Sequence, residues 1–179
     1  MAQRILLSRK IFQGFLLLLA CSLLTSCFFK KKDTAQGAAY KADLLQAIRQ
    51  ASKIVVTEHS SELDFVVAGR SIPQKERVYR TVTLSQRHRD NFIAIVEATP
   101  DETQQSFSGC LFDPHHTVYF YVQGKLASKL DICFACGQQQ WDATKHRPPS
   151  SIIESFSSFV KSIGLSPERE WEELLKKKS

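Results

Sequence analysis

The chain has 179 residues and 43% hydrophobic composition, enough for one domain with its own core and little more. Its formal charge of +6 sits at the ends: without Arg4, Arg9, Lys10 and the triplets Lys30–Lys32 and Lys176–Lys178, 15 basic groups face 18 acidic ones. A nucleic-acid partner is excluded on this count, because such binding needs a basic patch on the fold itself. The one inner cluster, Arg87-His88-Arg89, reads as a solvated helix face.

In chain order, a basic start without acids leads into the apolar run Ile11 to Leu23, broken only by Gln13, Gly14 and Ser22. Basic start, short apolar run and small residues at a cut site are the parts of a secretory signal peptide. The run closes on Leu24-Thr25-Ser26-Cys27, which resembles the lipobox of bacterial lipoproteins: an aliphatic residue, two small ones, then cysteine. The resemblance covers residues 1–27. It implies a diacylglyceryl group on the Cys27 sulfur, cleavage just before it, and a further fatty-acyl chain (palmitate in kind) on the freed amine. Membrane lipid is then a partner through Cys27, and the protein is lipid-anchored in the bacterial cell envelope. Two or three acyl chains, at about 0.8 kcal/mol per buried methylene, hold firmly where one is marginal. Phe28 and Phe29 would sit at the headgroups with Lys30–Lys32 against anionic lipid. Phe28 follows the cysteine in place of the Asp that resembles an inner-membrane retention signal in some bacteria, which slightly favours the outer membrane over the inner.

Three rival readings stay open. Ile11 to Phe29 is nineteen residues without a charge, long enough to span a bilayer uncleaved. Leu18-Leu19-Ala20-Cys21 could serve as an earlier lipobox, although Leu19 is bulky for its place. Plain secretion with Cys27 uninvolved is the third. The leading reading divides the chain into a signal peptide (1–26), a lipidated flexible tether (27–38) and one domain (39–179), with no internal repeat or second linker.

Within the domain, Tyr40, Leu44, Leu45, Ala47, Ile48 and Ala51 predict an amphipathic helix over 39–53. Ile54 to Thr57 and Leu63 to Val67 predict strands, Ser71-Ile72-Pro73 a turn, and Val78 to Leu84 a strand. Ser85 is an N-cap for a helix to Ala98 with Phe92, Ile93, Ile95 and Val96 inward, unless Phe92 to Val96 is strand. Thr117–Val122 and Lys129–Cys133 flank Gln123-Gly124-Lys125 and predict a hairpin centred near Lys125, with residue numbers summing to about 250 across it. After Pro148-Pro149, a helix with Ile152, Ile153, Phe156, Phe159, Val160 and Ile163 inward ends at Gly164. Ser166-Pro167 starts a last helix held by Trp171, Leu174 and Leu175. The expected class is α+β: a mostly antiparallel sheet, an N-terminal helix and two C-terminal ones.

Cys110, Cys133 and Cys136 are the thiols left in the domain, and the hairpin brings His115, His116 and Cys136 to its open end with Cys133 opposite Thr117. Cys133 and Cys136 converge only if the strand ends and turns there, which Gly137 allows; of His115 and His116, on opposite faces, at most one joins them. Four readings compete. A candidate disulfide, Cys110 to Cys133 or Cys136 ahead of the tight CxxC ring, suits an oxidising compartment and leaves one thiol over. A candidate metal centre for zinc or copper takes Cys110, Cys133, Cys136 and one of His115 or His116. Thiol–disulfide exchange lacks a convincing helix after the CxxC, and buried inert thiols complete the set. A Cys–His hydrolase would need an orienting acid, for which Asp113 and Asp131 are no better than chance, and Ser155, Ser157 and Ser158 read as surface. Cys110, Phe112, Pro114, His116, Cys133, Phe134 and Cys136 also carry a pattern that resembles one in small bacterial lipoproteins of unassigned function, which implies a shared fold element and no reaction.

The sequence therefore predicts an anchored binding or structural module with no catalytic site and no cofactor, its partner an envelope protein or ligand. The alternative is a thiol/disulfide or metal (zinc or copper) function at the hairpin mouth. A third possibility is a structural protein cross-linked through the odd cysteine. The loops around residues 58–62 and 101–108 are left open as a binding rim.

Overall fold

The computed structural model describes residues 34–67, 70–71, 75–106 and 109–177. The signal-like opening, with Cys21 and Cys27, lies outside them, as do Phe28 to Lys32. Among the described residues, no helix is long and apolar enough to cross a membrane.

The chain runs through helix α1 (34–50), strand β1 (Lys53–His59), a 3-10 turn (Glu62–Phe65), short strands β2 (Val66–Val67) and β3 (Arg70–Ser71), and strand β4 (Val78–Thr83). It continues through α2 (Gln86–Ala98), β5 (His116–Val122), β6 (Lys125–Cys133), β7 (Gln138–Trp141), α3 (Ile152–Ser162) and α4 (Trp171–Lys177). Five strands form one antiparallel sheet in the order β4-β1-β5-β6-β7, with β2 and β3 paired apart from it. The result is a single small α+β domain.

Alternation along the strands sorts the two faces of the sheet. Ile54 and Val56, Val118 and Phe120, Leu130 and Ile132, and Trp141 all point to one face, where α1, α2 and α3 cover them. Tyr40, Leu44 and Ile48 come down from α1, Phe92 and Val96 from α2, and Phe156, Phe159 and Val160 from α3. Phe92 stacks on Phe159 at 3.9 Å between centroids and meets Phe156 edge-on at 6.2 Å, joining the two helices. Ser85 caps α2 by accepting from the His88 amide at 3.3 Å. Arg89 leaves the solvated face foreseen for it and donates to the carbonyls of Ala51 and Ser52 after α1, at 2.6 and 2.9 Å.

Four local readings change. Helix α1 already includes 34–38, assigned above to the tether, because Gly37 is buried and donates to Thr103 Oγ1 at 2.9 Å. Strand β1 runs on to His59, since β4 and β5 flank it on both sides. Leu63 belongs to the 3-10 turn, which the Asp64 carboxylate fixes by accepting from the Ser61 amide at 2.9 Å. The polar strand Gln138–Trp141 is an addition, paired to β6 across the turn that Gly137 makes at φ 65°.

The hairpin correction matters most. Gln123 and Gly124 both have positive φ, 51° and 78°, a two-residue primed turn, so β6 begins directly at Lys125. A bulge after Phe120 sets the register so that Thr117 stands opposite Asp131 and not Cys133. A two-residue shift keeps every side chain on its own face. It changes only which partner Thr117 meets.

Candidate functional site

The second face of the sheet is polar. Three neighbouring strands contribute His59 from β1, Thr117 from β5 and Asp131 from β6, all exposed to one cavity rather than to the helices. His59 Nε2 lies 2.9 Å from Thr117 Oγ1, and Thr117 Oγ1 lies 2.7 Å from Asp131 Oδ1. His59 Nδ1 is 2.9 Å from the Ser60 carbonyl, with Glu76 Oε2 at 3.9 Å. Lys129 Nζ holds the other Asp131 oxygen at 2.8 Å.

Counting protons fixes the direction of this chain. A threonine hydroxyl has one proton, and an ionised carboxylate only accepts, so Thr117 donates to Asp131 and accepts from His59 Nε2. The imidazole and the carboxylate are thus bridged by one hydroxyl, with Nδ1 facing the Ser60 carbonyl. The hydrogen bond to Asp131, ahead of the opposing effect of burial, raises Lys129 above the ordinary lysine pKa, which keeps its ammonium charged beside the carboxylate.

This chain floors a cavity of about 490 Å³. Ser60, Ser61 and Glu62 form one rim, so the 58–62 loop of the sequence reading does border a pocket. Leu111, Phe112 and Pro114 form the opposite wall, and Leu111 is 70% exposed. The volume falls within the range of small-molecule sites, and the mixture of an apolar wall with a few convergent polar groups is typical of them.

The three predicted thiols also gather, beside that wall. Cys133 ends β6, and the turn after it folds Cys136 back so that its amide donates to Cys133 Sγ at 3.3 Å. The Cys136 thiol donates to the Cys133 carbonyl at 3.8 Å. Burial, then the Cys133 and Cys110 thiols, push Cys136 up to about 12. All three are free thiols, Cys110 exposed and the other two buried.

The histidines go elsewhere. His115 Nε2 pairs with Asp64 at 3.1 Å while its ring stacks on Trp171 at 4.4 Å. His116 is fully buried, edge-on to both Phe134 and Trp171, with Glu58 Oε1 at 4.0 Å. Desolvation lowers it to about 3, helped by the charge of His59, so it stays neutral. Glu58, equally buried, is held by the Ser166 amide at 2.7 Å and by Arg169 at 3.2 Å. Among the described residues, Asp64, Asp113 and His115 are the only group of three or more metal-type ligand atoms within 4.8 Å of one another. The five-residue set Cys110, His115, His116, Cys133 and Cys136 is thus divided between a thiol cluster and two separate imidazole environments.

Sequence reasoning missed His59 and Asp64 and gave Asp131 no role. The available signal for His59 was Thr57-Glu58-His59 continuing the alternation of β1, with Glu58 turned to the core and its neighbours to the open face. No family model, no curated protein and no solved structure matches the chain. The class defined by fold and site is a small α+β domain with a polar-floored cavity on its uncovered sheet face, and function has to be argued from these residues.

Proposed function

We propose that the protein is a lipid-anchored binding module of the bacterial cell envelope, held through an acylated Cys27, whose cavity takes a small amphipathic ligand. The observation that supports binding is the cavity of about 490 Å³ with the His59–Thr117–Asp131 chain as its floor and Leu111, Phe112 and Pro114 as its wall. The wall suits an apolar body. The rim carboxylates Glu62 and Glu76 suit a hydrogen-bond-donating, cationic head, because Asp131 is already neutralised by Lys129. Support for the anchor is the Leu24-Thr25-Ser26-Cys27 motif behind its apolar run. A thiol or metal function fits less well, since both need a thiolate and Cys136 is pushed the other way.

The binding reading is tested by ligand-observed NMR on the full chain in detergent, using a library of small amphipathic amines and matched neutral analogues. Leu111→Arg places a charge at the cavity mouth from a 70% exposed position, where folding is little affected. Amine hits that vanish with this variant are expected. Absence of hits, or hits indifferent to the substitution, rejects the cavity as the site. The anchor has its own test. Cys27→Ser should abolish the acyl mass and the partition into detergent, and unchanged processing, mass and partition would reject it.

A further inference from the structure

We infer that Asp64, Asp113 and His115 form a site for one divalent cation of the zinc type, which ties the 3-10 turn Glu62–Phe65 to the loop entering β5. One ligand atom from each residue, imidazole nitrogen or carboxylate oxygen, lies within 4.8 Å of the other two. Ligand atoms bound to zinc at about 2.0–2.2 Å stand about 3.5 Å from one another. His115 Nε2 and Asp64 Oδ1 are already 3.1 Å apart. Both side chains are interior, that of Asp64 being 6% exposed and that of His115 9%. Asp113 supplies the observation that points to a ligand. Its Oδ1 is buried and, among the described residues, has no hydrogen-bond partner. Two carboxylates against a single imidazole leave negative charge uncompensated away from water, a costly arrangement until a cation joins them.

Alternation in both segments builds the site. Leu63 and Phe65 line the cavity, as do Phe112 and Pro114, while Asp64, Asp113 and His115 between and after them meet one another instead. Two of the three ligands are held from outside. The Ser61 amide donates to Asp64 Oδ2 at 2.9 Å, and the His115 ring stacks on Trp171 at 4.4 Å. Outer contacts of this kind aim metal ligands. The proton that His115 Nε2 donates to Asp64 gives way to the ion, and the neutral ring then carries its proton on Nδ1. The donor set selects the class of ion. One nitrogen and two oxygens without sulfur suit zinc, whereas calcium and magnesium want about six oxygens or more and copper(I) wants sulfur. Three protein ligands leave the fourth tetrahedral position to water. No thiolate takes part, so the raised Cys136 that weighs against a thiol centre has no bearing here. The site stands whatever the cavity binds.

The test titrates the untagged, metal-free full chain in detergent with zinc chloride by calorimetry, then with cobalt(II) to read the ligand type from its spectrum. One equivalent of zinc is expected, and cobalt should bind without the intense thiolate-to-metal charge-transfer band. Asp113→Asn should weaken zinc by roughly tenfold or more, while Cys136→Ser should bind it as the native chain does. Because Asp113 Oδ1 has no partner to lose, Asp113→Asn should melt, free of metal, at or above the native temperature. Hydrogen exchange at amides 61–65 and 111–113 should slow by roughly tenfold once zinc is bound. Lack of stoichiometric binding, a thiolate band, loss of binding in Cys136→Ser, or equal affinity in Asp113→Asn overturns the site. A lower metal-free melting temperature for Asp113→Asn overturns its premise, and binding with unchanged exchange overturns the tie. These readouts use only the metal, so a failure here is distinct from a failure of the binding screen.

Discussion

Acidification should destabilise this fold through one side chain, His116. The ring is fully buried among Phe134, Trp171 and Glu58, and desolvation with the nearby charges of His59, His115 and Arg169 lowers it to about 3, against a weaker opposing pull from the Ser166 backbone. In the unfolded chain it titrates at the ordinary imidazole value of 6.5. The sign follows from proton binding. Below pH 6.5 the unfolded chain takes up a proton that the folded one refuses, so stability is full above 6.5 and is lost as pH falls toward 3. Each unit in that window costs about 1.4 kcal/mol, and the loss from pH 7 to 4.5 comes to about 2.5 kcal/mol. Chemical denaturation of the full chain in detergent at half-unit pH steps measures it. His116→Phe should flatten the curve by that amount relative to the native chain, and His116→Leu serves if the larger ring does not fit. Contributions common to native chain and variants cancel in the comparison. Parallel curves for native chain and variants would refute the assignment of the acid loss to His116.

Thr117→Val removes the hydroxyl between His59 and Asp131, leaving a buried imidazole nitrogen without a partner, and should cost about 1–3 kcal/mol by denaturant titration. Gly37→Ala would gain up to ~1 kcal/mol from helix propensity alone. The added methyl, however, would lie 2.3 Å from the Asp101 carbonyl oxygen, so net destabilisation of about 1–3 kcal/mol is expected, and a higher melting temperature would contradict the packing of α1. Phe92→Ala opens the stack that joins α2 to α3 and should cost about 3–5 kcal/mol; a loss under ~1 kcal/mol would mean the ring is not in the core.

The class and most of the fold were legible in the sequence, because helices and strands with one buried face announce themselves through period. Ser85, the α2 stripe and the α3 stripe all fall where expected. What stayed hidden depends on pairing. Gln138–Trp141 has one apolar residue and becomes a strand only because β6 offers it an edge. The site failed for a similar reason. Asp131 gained a partner only when the primed turn at Gln123-Gly124 moved the register by two, and a turn type is a backbone property that neighbouring side chains only suggest. Convergence of the thiols was legible, since Gly137 marked the turn after Cys133. The dispersal of the histidines was not. It depends on Trp171, 55 positions beyond His116, arriving to stack on His115 and meet His116 edge-on.

The carboxylate of Glu58 sits early in the chain, and the groups that satisfy it, Ser166 and Arg169, come 108 and 111 positions later. Biosynthesis runs from the other end. A growing polypeptide therefore carries an uncompensated anion in its first long strand until its final stretch has been made, and it cannot close the sheet's interior around that charge beforehand. On the export route proposed above, such a late fastening would keep the nascent form open until passage is complete.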